Sequence, residues 1–254
     1  MTRLYVIGIG AGDPTTVTIE AITAMNAVDV FLVLDKGDGR DQLGEQRREI
    51  LRTHLRGGSH RIVQVTDTRR DPSLPYEDGV RVWHLDRVTM VESAIAEHAG
   101  DDASMGILVW GDPGVYDSTL RIVDQIIERG VVPIEVTVVP GISSIQLLTA
   151  RHHLTLNRIG RSVLMTTGRL LDRGGVPEGV DDVVVLLDAS TTFRTLVGKG
   201  WEIFWGAYLG SPDEILIAGP LDVVAERIVV ARSEARDRLG WMFDIYLLRR
   251  LDPG

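Results

Sequence analysis

Three short segments carry glycine where a chain must turn sharply beside a ligand. They are Gly8-Ile9-Gly10-Ala11-Gly12-Asp13-Pro14, Gly111-Asp112-Pro113-Gly114-Val115-Tyr116-Asp117 and Pro140-Gly141-Ile142-Ser143-Ser144. Glycine accepts positive φ and lets a backbone approach a bound molecule closely. Each segment follows an apolar run that reads as a strand, at residues 4–9, 107–110 and 134–139. Ligands of open α/β sheets bind at the carboxyl ends of strands, so three such ends outline one crevice. The first loop invites a dinucleotide reading, but that fingerprint is G-x-G-x-x-G running directly into a helix. Here the third glycine comes one residue early, and Asp13 and Pro14 follow. An anionic Asp13 would also repel a pyrophosphate. A tight turn that needs glycine dihedrals is the plainer alternative. Asp112 reads either as a ligand-facing acid or as a turn residue before proline. Ser144 reads either as a ligand contact or as a helix cap.

The elements that must position these loops follow from periodicity. Helical spacing marks residues 18–27, 45–55, 80–98, 118–129 and 143–151, with Thr15 or Thr16 available to cap the first. Further apolar runs at 30–34 and 61–65 read as strands. Strands alternating with helices predict a parallel sheet with crossover helices. The second half differs. Residues 163–167, 183–187, 203–208, 214–218 and 242–248 read as strands, with helices expected only at 191–199 and 221–235. Strands without intervening helices must pair antiparallel or mixed. The boundary is expected near residues 157–160, giving domains 1–157 and 158–254.

Composition narrows the function. The 254 residues carry a net charge of −9, which argues against a broadly basic nucleic-acid surface. Positive charge does cluster, at Arg47, Arg48, Arg52, Arg56, Arg61, Arg69 and Arg70. The chain has no cysteine, so disulfides, thiolate metal sites and a cysteine nucleophile are excluded, and no metal is expected. No apolar run reaches the roughly 18–20 residues that span a bilayer. Met1-Thr2-Arg3 leads straight into a strand without the form of a signal peptide, so a cytoplasmic protein is expected.

Taken together, these motifs resemble those of the tetrapyrrole methylase family. That pattern opens with a strand and G-x-G-x-G-D-P followed by a threonine and a helix, matched by residues 8–14 and Thr18. It continues with Val28-Asp29-Val30, then G-D-P with a nearby tyrosine, then P-G-x-S-S. Ser211-Pro212-Asp213-Glu214 and Gly219-Pro220-Leu221 match its second-domain elements. Several segments point to the subgroup that methylates C1 of precorrin-5 and expels its acetyl group as acetate. They are Phe31-Leu32-Val33-Leu34-Asp35-Lys36-Gly37, residues 76–87 with Trp83-His84, Trp205-Gly206-Ala207-Tyr208-Leu209-Gly210, and Tyr246-Leu247-Leu248-Arg249-Arg250.

The resemblance implies two α/β domains, the second with a mixed sheet, an active-site cleft between them, and a homodimer. It implies S-adenosyl-L-methionine as methyl donor, held by Gly111, Asp112, Pro113, Val115, Ser143 and Ser144, with Leu187, Ala207 and Tyr208 toward the adenine. The substrate is a small-molecule tetrapyrrole, with neither nucleic acid nor membrane as partner. Gly10, Gly12, Asp13 and Pro14 would face it, and Lys36, Arg69, Arg70 and Arg87 would grip its carboxylates, since arginine pairs bidentately with carboxylate. Loss of acetyl requires a base for water and a donor for the oxyanion. Asp35, Tyr76 and His84 are the candidates, each with an ordinary alternative as strand-end acid, loop aromatic and helix-surface histidine. Three competing readings are another precorrin methyltransferase, a nicotinamide-dependent reductase using the first loop, and a non-catalytic tetrapyrrole carrier. A ligand that binds only the native state raises the melting temperature. S-adenosylhomocysteine is therefore expected to raise it and NAD to leave it unchanged, a result that thermal-shift assay reads directly; a shift with NAD alone would overturn the methylase reading.

Overall fold

The computed structural model describes residues 1–35, 42–57, 60–68, 71, 73–100 and 103–251, with only the backbone of residues 35, 42, 43, 76 and 77. Two compact units divide the chain, Met1–Ser143 and Ser144–Gly254.

The first unit alternates strand and helix: β1 (Thr2–Gly8), α1 (Ile19–Asn26), β2 (Val30–Asp35), α2 (Gln42–His54), β3 (Arg61–Thr66), α3 (Tyr76–His98), β4 (Ser104–Val109), α4 (Thr119–Arg129) and β5 (Ile134–Val139). The strand order is β3-β2-β4-β1-β5 and every pairing is parallel, as the alternation predicts. Side chains alternate across the sheet. Leu4 and Val6 of β1 join Val88, Val91 and Ile95 of α3 and Ile122 and Ile126 of α4 in one core. Ile7 joins Ala21 and Met25 of α1 and Ile50 and Leu51 of α2 in the other. Helices cover both faces, so the inner strands are mostly apolar, and all six residues of β4 are buried.

Local chemistry sets the ends of these elements. The first helix begins one residue later than its spacing suggests, and Thr18 caps it by accepting from the Ala21 N–H at 3.1 Å. Thr15 and Thr16, the expected caps, belong instead to a short 3-10 turn, Pro14–Thr16, headed by Asp13. Between α1 and β2, Asp29 accepts from both the backbone N–H and the hydroxyl of Ser104, at 2.9 and 2.7 Å. The return bond, from the Asp29 N–H to the Ser104 carbonyl, is 2.9 Å long. This clamp fixes the register of β2 against β4.

The second unit contains α5 (Ser144–Arg151), β6 (Val163–Thr167), α6 (Gly168–Gly174), β7 (Asp182–Leu186), a 3-10 turn (Thr192–Leu196), β8 (Trp201–Ala207), β9 (Ile215–Pro220), α7 (Leu221–Leu239) and β10 (Asp244–Arg250). Its sheet runs β6-β7-β10-β8-β9, with β6 parallel to β7 and the other pairings antiparallel. The mixed sheet was expected. The division after Ser143 rather than at 157/158 follows from α5, which packs on β8 and β10. A β-carbon on Gly206 would stand 2.9 Å from Leu148, so glycine there lets α5 seat against β8. The helix expected at 191–199 shrinks to the 3-10 turn. Val197 is extended, and Gly198 and Gly200 adopt φ of 77° and 70°. α6 was not expected, because its seven residues begin and end in glycine, a poor helix former.

The Asp29 clamp carries a pH prediction. Hydrogen bonds from the Ser104 side chain and then its backbone hold the Asp29 carboxyl below its ordinary value. The clamp's contribution is therefore complete above the unfolded carboxyl pKa of about 3.9 and is lost as pH falls through the lower folded value. Urea titrations of the wild type and Asp29→Asn should show a stability difference that is constant at neutral pH and closes in strong acid. A difference independent of pH would show that the carboxylate charge does not matter.

Candidate active site

The three glycine loops leave β4, β1 and β5, which are adjacent in the sheet, and all leave from carboxyl ends. They meet backbone to backbone. Gly10 and Gly111 form an antiparallel bridge, with the Gly111 N–H donating to the Gly10 carbonyl at 2.8 Å and the Gly10 N–H returning at 3.3 Å. A β-carbon on Gly8 would lie 2.6 Å from the Gly141 nitrogen, and one on Gly141 would overlap the Gly111 carbonyl oxygen. Gly8, Gly111 and Gly141 thus form a junction in which no side chain fits at Gly8 or Gly141. Gly111 also holds φ at 63°, a region that glycine enters without strain.

Asp112 bolts the junction together. One carboxylate oxygen accepts from the Gly114 N–H at 2.8 Å and the other from the Gly141 N–H at 3.0 Å. Both carboxylate oxygens of Asp112 thus hold loops, and the N–H and carbonyl of Gly111 engage Gly10. Pro113 is buried, Val115 half-buried, and Ser143 is buried just before Ser144, the first residue of α5. The helix-cap position thus falls on Ser143. In the first loop, Asp13 accepts from the Thr15 N–H and hydroxyl at 2.8 and 2.7 Å. Gly10 leaves room for the Thr16 hydroxyl, and the Pro14 carbonyl lies 2.8 Å from His54 Nε2. Gly12 lies against the Trp110 ring and Gln46.

Near the carboxyl end of β3, Trp83 of α3 donates its indole N–H to the Thr68 carbonyl at 2.7 Å. His84 packs edge-on to Trp83, with centroids 5.2 Å apart. Burial first, then the positive charges of Arg87 and Arg121, lower the His84 pKa. Its imidazole is therefore neutral at neutral pH, the state a general base requires. Arg87, expected to hold a substrate carboxylate, has partners within the protein. It is buried, with Nε 3.0 Å from Asp67 Oδ1, Nη1 donating to the Ser118 hydroxyl at 2.9 Å, and its guanidinium over Trp83. It ties the end of β3 to the start of α4. Asp35 ends β2 and pairs with Thr66 of β3, which places it at the same sheet edge; Tyr76 opens α3. The side chains of both lie outside the described residues, as do Lys36, Arg69 and Arg70.

In the second unit, β7 and β8 run in the same direction, each antiparallel to β10, so their carboxyl ends share one edge. Leu187 and Tyr208 follow those ends directly, and both hold positive φ, 54° and 50°. Their environments differ. Leu187 is 61% exposed, whereas Ala207 and Tyr208 are buried. The Tyr208 hydroxyl donates to the Trp241 carbonyl at 2.5 Å, and its N–H to the Phe243 carbonyl at 2.9 Å. Ala207 and Tyr208, expected toward the adenine, thus have their side chains in the core of the second unit. Glu214 accepts from the Gly210 N–H and from Arg151, which explains its motif by loop closure. Sequence reasoning did not single out Tyr116, an exposed residue at φ 51° in the second loop, nor Asp188, which follows Leu187. Neither backbone strain nor a lone strand-end acid has a sequence signature.

The chain belongs to the tetrapyrrole (corrin/porphyrin) methylases, whose family model matches residues 3–225. It is 39% identical over 251 residues to precorrin-6A synthase [deacetylating] of Sinorhizobium sp, spanning 98% of this chain and 96% of that one. Among solved structures it resembles a cobalamin-synthesis-related protein from Corynebacterium diphtheriae at 35% identity and a TM-score of 0.84, covering 99% and 100% of the two chains. A uroporphyrin-III C-methyltransferase from Thermus thermophilus, complexed with S-adenosylhomocysteine, shares the fold at 21% identity and a TM-score of 0.58, covering 97% of each chain.

Crowding at the junction is testable. Gly141→Ala should destabilise the protein by more than the ~0.5–3 kcal/mol typical of point substitutions, because backbone rather than a flexible side chain must move. Gly100→Ala, with nothing within 4 Å of the added carbon, should stay within about 0.5 kcal/mol of wild type. Equal denaturation midpoints for the two variants would refute the junction.

Proposed function

We propose that the protein is an S-adenosylmethionine-dependent C-methyltransferase that converts precorrin-5 to precorrin-6A, acetate and S-adenosylhomocysteine. The likeness to precorrin-6A synthase over nearly the whole of both chains carries this reading. Homodimeric assembly in the cytoplasm, which the family resemblance implies, is part of the same proposal. No helix among the described residues is long and apolar enough to cross a membrane.

The residues present suit such a cofactor. Three glycine loops converge at the ends of adjacent parallel strands, where ligands of α/β sheets bind. Exposed Gly114 and Tyr116 project from the loop that Asp112 fixes, and Val115, Ser143 and Ser144 lie on the same two loops. When bound, the cofactor supplies an electrophilic methyl group on a cationic sulfur. The loops would hold the cofactor beside the tetrapyrrole, and positioning of this kind would remove much of a bimolecular barrier.

Acetyl loss asks more of the side chains. Water attacks the acetyl carbonyl while a base takes its proton. The bond from C1 to the acetyl carbon breaks, acetate leaves, and the electron pair stays on C1. That pair then takes the methyl group, and the S–CH3 electrons return to sulfur. His84 is our choice as base, since its neutral state is favoured and it sits beside the end of β3. Asp35 and Tyr76 are the alternates from the same edge. Recognition of the carboxylates falls to Lys36, Arg69 and Arg70 in this reading, and that of the ring to Gly10, Gly12, Asp13 and Pro14.

The test is a single turnover with precorrin-5 and labelled methyl donor, following acetate and methyl together. His84→Ala should keep cofactor affinity and lose acetate release by about 10²–10⁴-fold, the usual worth of a positioned base. Methyl transfer should fall with it. The acid limb of the wild-type rate profile should lie below the ordinary imidazole pKa, because the His84 pKa is lowered. Full rates in the variant exclude His84, and methylation without acetate release refutes the order of steps.

A further inference from the structure

A buried ion pair lies one step behind His84. Asp67, just past β3, and Arg87 of α3 are 8% and 9% exposed, and Arg87 Nε stands 3.0 Å from Asp67 Oδ1. The two atoms meet at ion-pair distance without the alignment of a hydrogen bond, and the neighbouring Thr68 hydroxyl has no partner among the described residues. Buried pairs add little to stability, because desolvation offsets their attraction. Incompletely bonded buried polar groups call for another explanation, and a catalytic setting is one.

The pair is joined to His84 by direct contacts. The Arg87 guanidinium lies over the Trp83 ring, 4.8 Å from its centroid, and Nη1 donates to the Ser118 hydroxyl at 2.9 Å. Trp83 donates its indole N–H to the Thr68 carbonyl at 2.7 Å. The imidazole meets the Trp83 ring at 82°, with centroids 5.2 Å apart, the edge-to-face arrangement that aromatic pairs favour. Cation, indole and imidazole thus form one run of contacts on α3. It is anchored at the segment after β3 by Asp67 and Thr68 and ahead of α4 by Ser118.

We infer that Arg87 and Trp83 are positioning residues for His84: Asp67 holds the guanidinium, the guanidinium packs on the indole, and the indole sets the imidazole. This rests on the reading of His84 as the base and adds the groups that orient it. Charge acts through the same contacts. Arg87 on α3 and exposed Arg121 on α4 are the cations that act on the imidazole, and Asp67 is the anion behind Arg87. A fixed cation disfavours the imidazolium, as burial does more strongly.

Two variants of the full chain test the inference. The His84 C–H resonances, assigned through His84→Gln, report protonation without any substrate. Asp67→Asn/Arg87→Gln removes both charges and leaves no unpaired buried carboxylate. In it the His84 pKa should rise toward its ordinary value, and the acid limb of kcat for acetate release should move up with it. Arg87→Lys keeps the cation beside Asp67 but loses the flat face over Trp83. Its His84 titration should stay near wild type, while kcat for acetate release falls about 10–10²-fold, the cost of a small misplacement, with KM for both substrates unchanged. A merely structural pair would move neither reading. An unshifted His84 titration in the double variant, or full kcat in Arg87→Lys, overturns the inference. Should the double variant not fold, the lysine variant decides alone. A wild-type acid limb that does not follow the His84 titration overturns the base reading itself.

Discussion

The close approach of three backbones at Gly8, Gly111 and Gly141 is the constraint on which the first unit depends. At Gly8 and Gly141 hydrogen is the only substituent with room, because the neighbouring atoms are peptide nitrogen, carbonyl oxygen and α-carbon rather than flexible side chains. Once the ends of β1, β4 and β5 meet at that distance, the loops beyond them start from fixed positions. Asp112 adds the second tie by bonding a turn within its own loop and the loop after β5. A ligand site made from loops is only as exact as their roots, and here the roots are held by peptide groups. Binding then need not order the loops, which limits its entropic cost.

The same design recurs in the second unit with different chemistry. Where the first unit uses missing side chains, the second uses a buried carboxylate surrounded by donors. An unpaired buried carboxylate would be strongly unfavourable, and four hydrogen bonds to Asp188 offset that cost. Both devices fix the chain just past the carboxyl end of a strand. Neither depends on an exposed ion pair, a weak interaction in water.

Much of this organisation was legible in the sequence. Alternation of apolar runs with helical spacing predicted the parallel sheet, because covering helices force the inner strands to be apolar. Paired short strands predicted the mixed second sheet. Glycine marked the right loops but not the reason for it. A glycine kept for a ligand and a glycine kept for another backbone look identical in one dimension, and only the fold shows Gly8 and Gly141 set tightly against backbone. The setting of Arg87 was hidden for a similar reason, since its buried partner Asp67 lies 20 positions away and across a fold. Leu187 and Tyr208 looked equivalent as strand-end residues, and only their packing, one outward and one into the core, separates them.

The strand order has a kinetic side. β1 is made before the other strands of its sheet, yet its partners are β4 and β5, the last two of that sheet. Leu4, for example, pairs with Met105. At synthesis rates of about 5–20 residues per second, the nascent chain waits roughly 5–20 seconds before that pairing can begin. Throughout that interval the apolar face of β1 has no sheet to join, while β2 and β3 can already pair with each other. β1 takes its place between β4 and β5, one strand from the sheet's centre, only once both have been made. Sequence-distant pairing of this kind makes for slow folding.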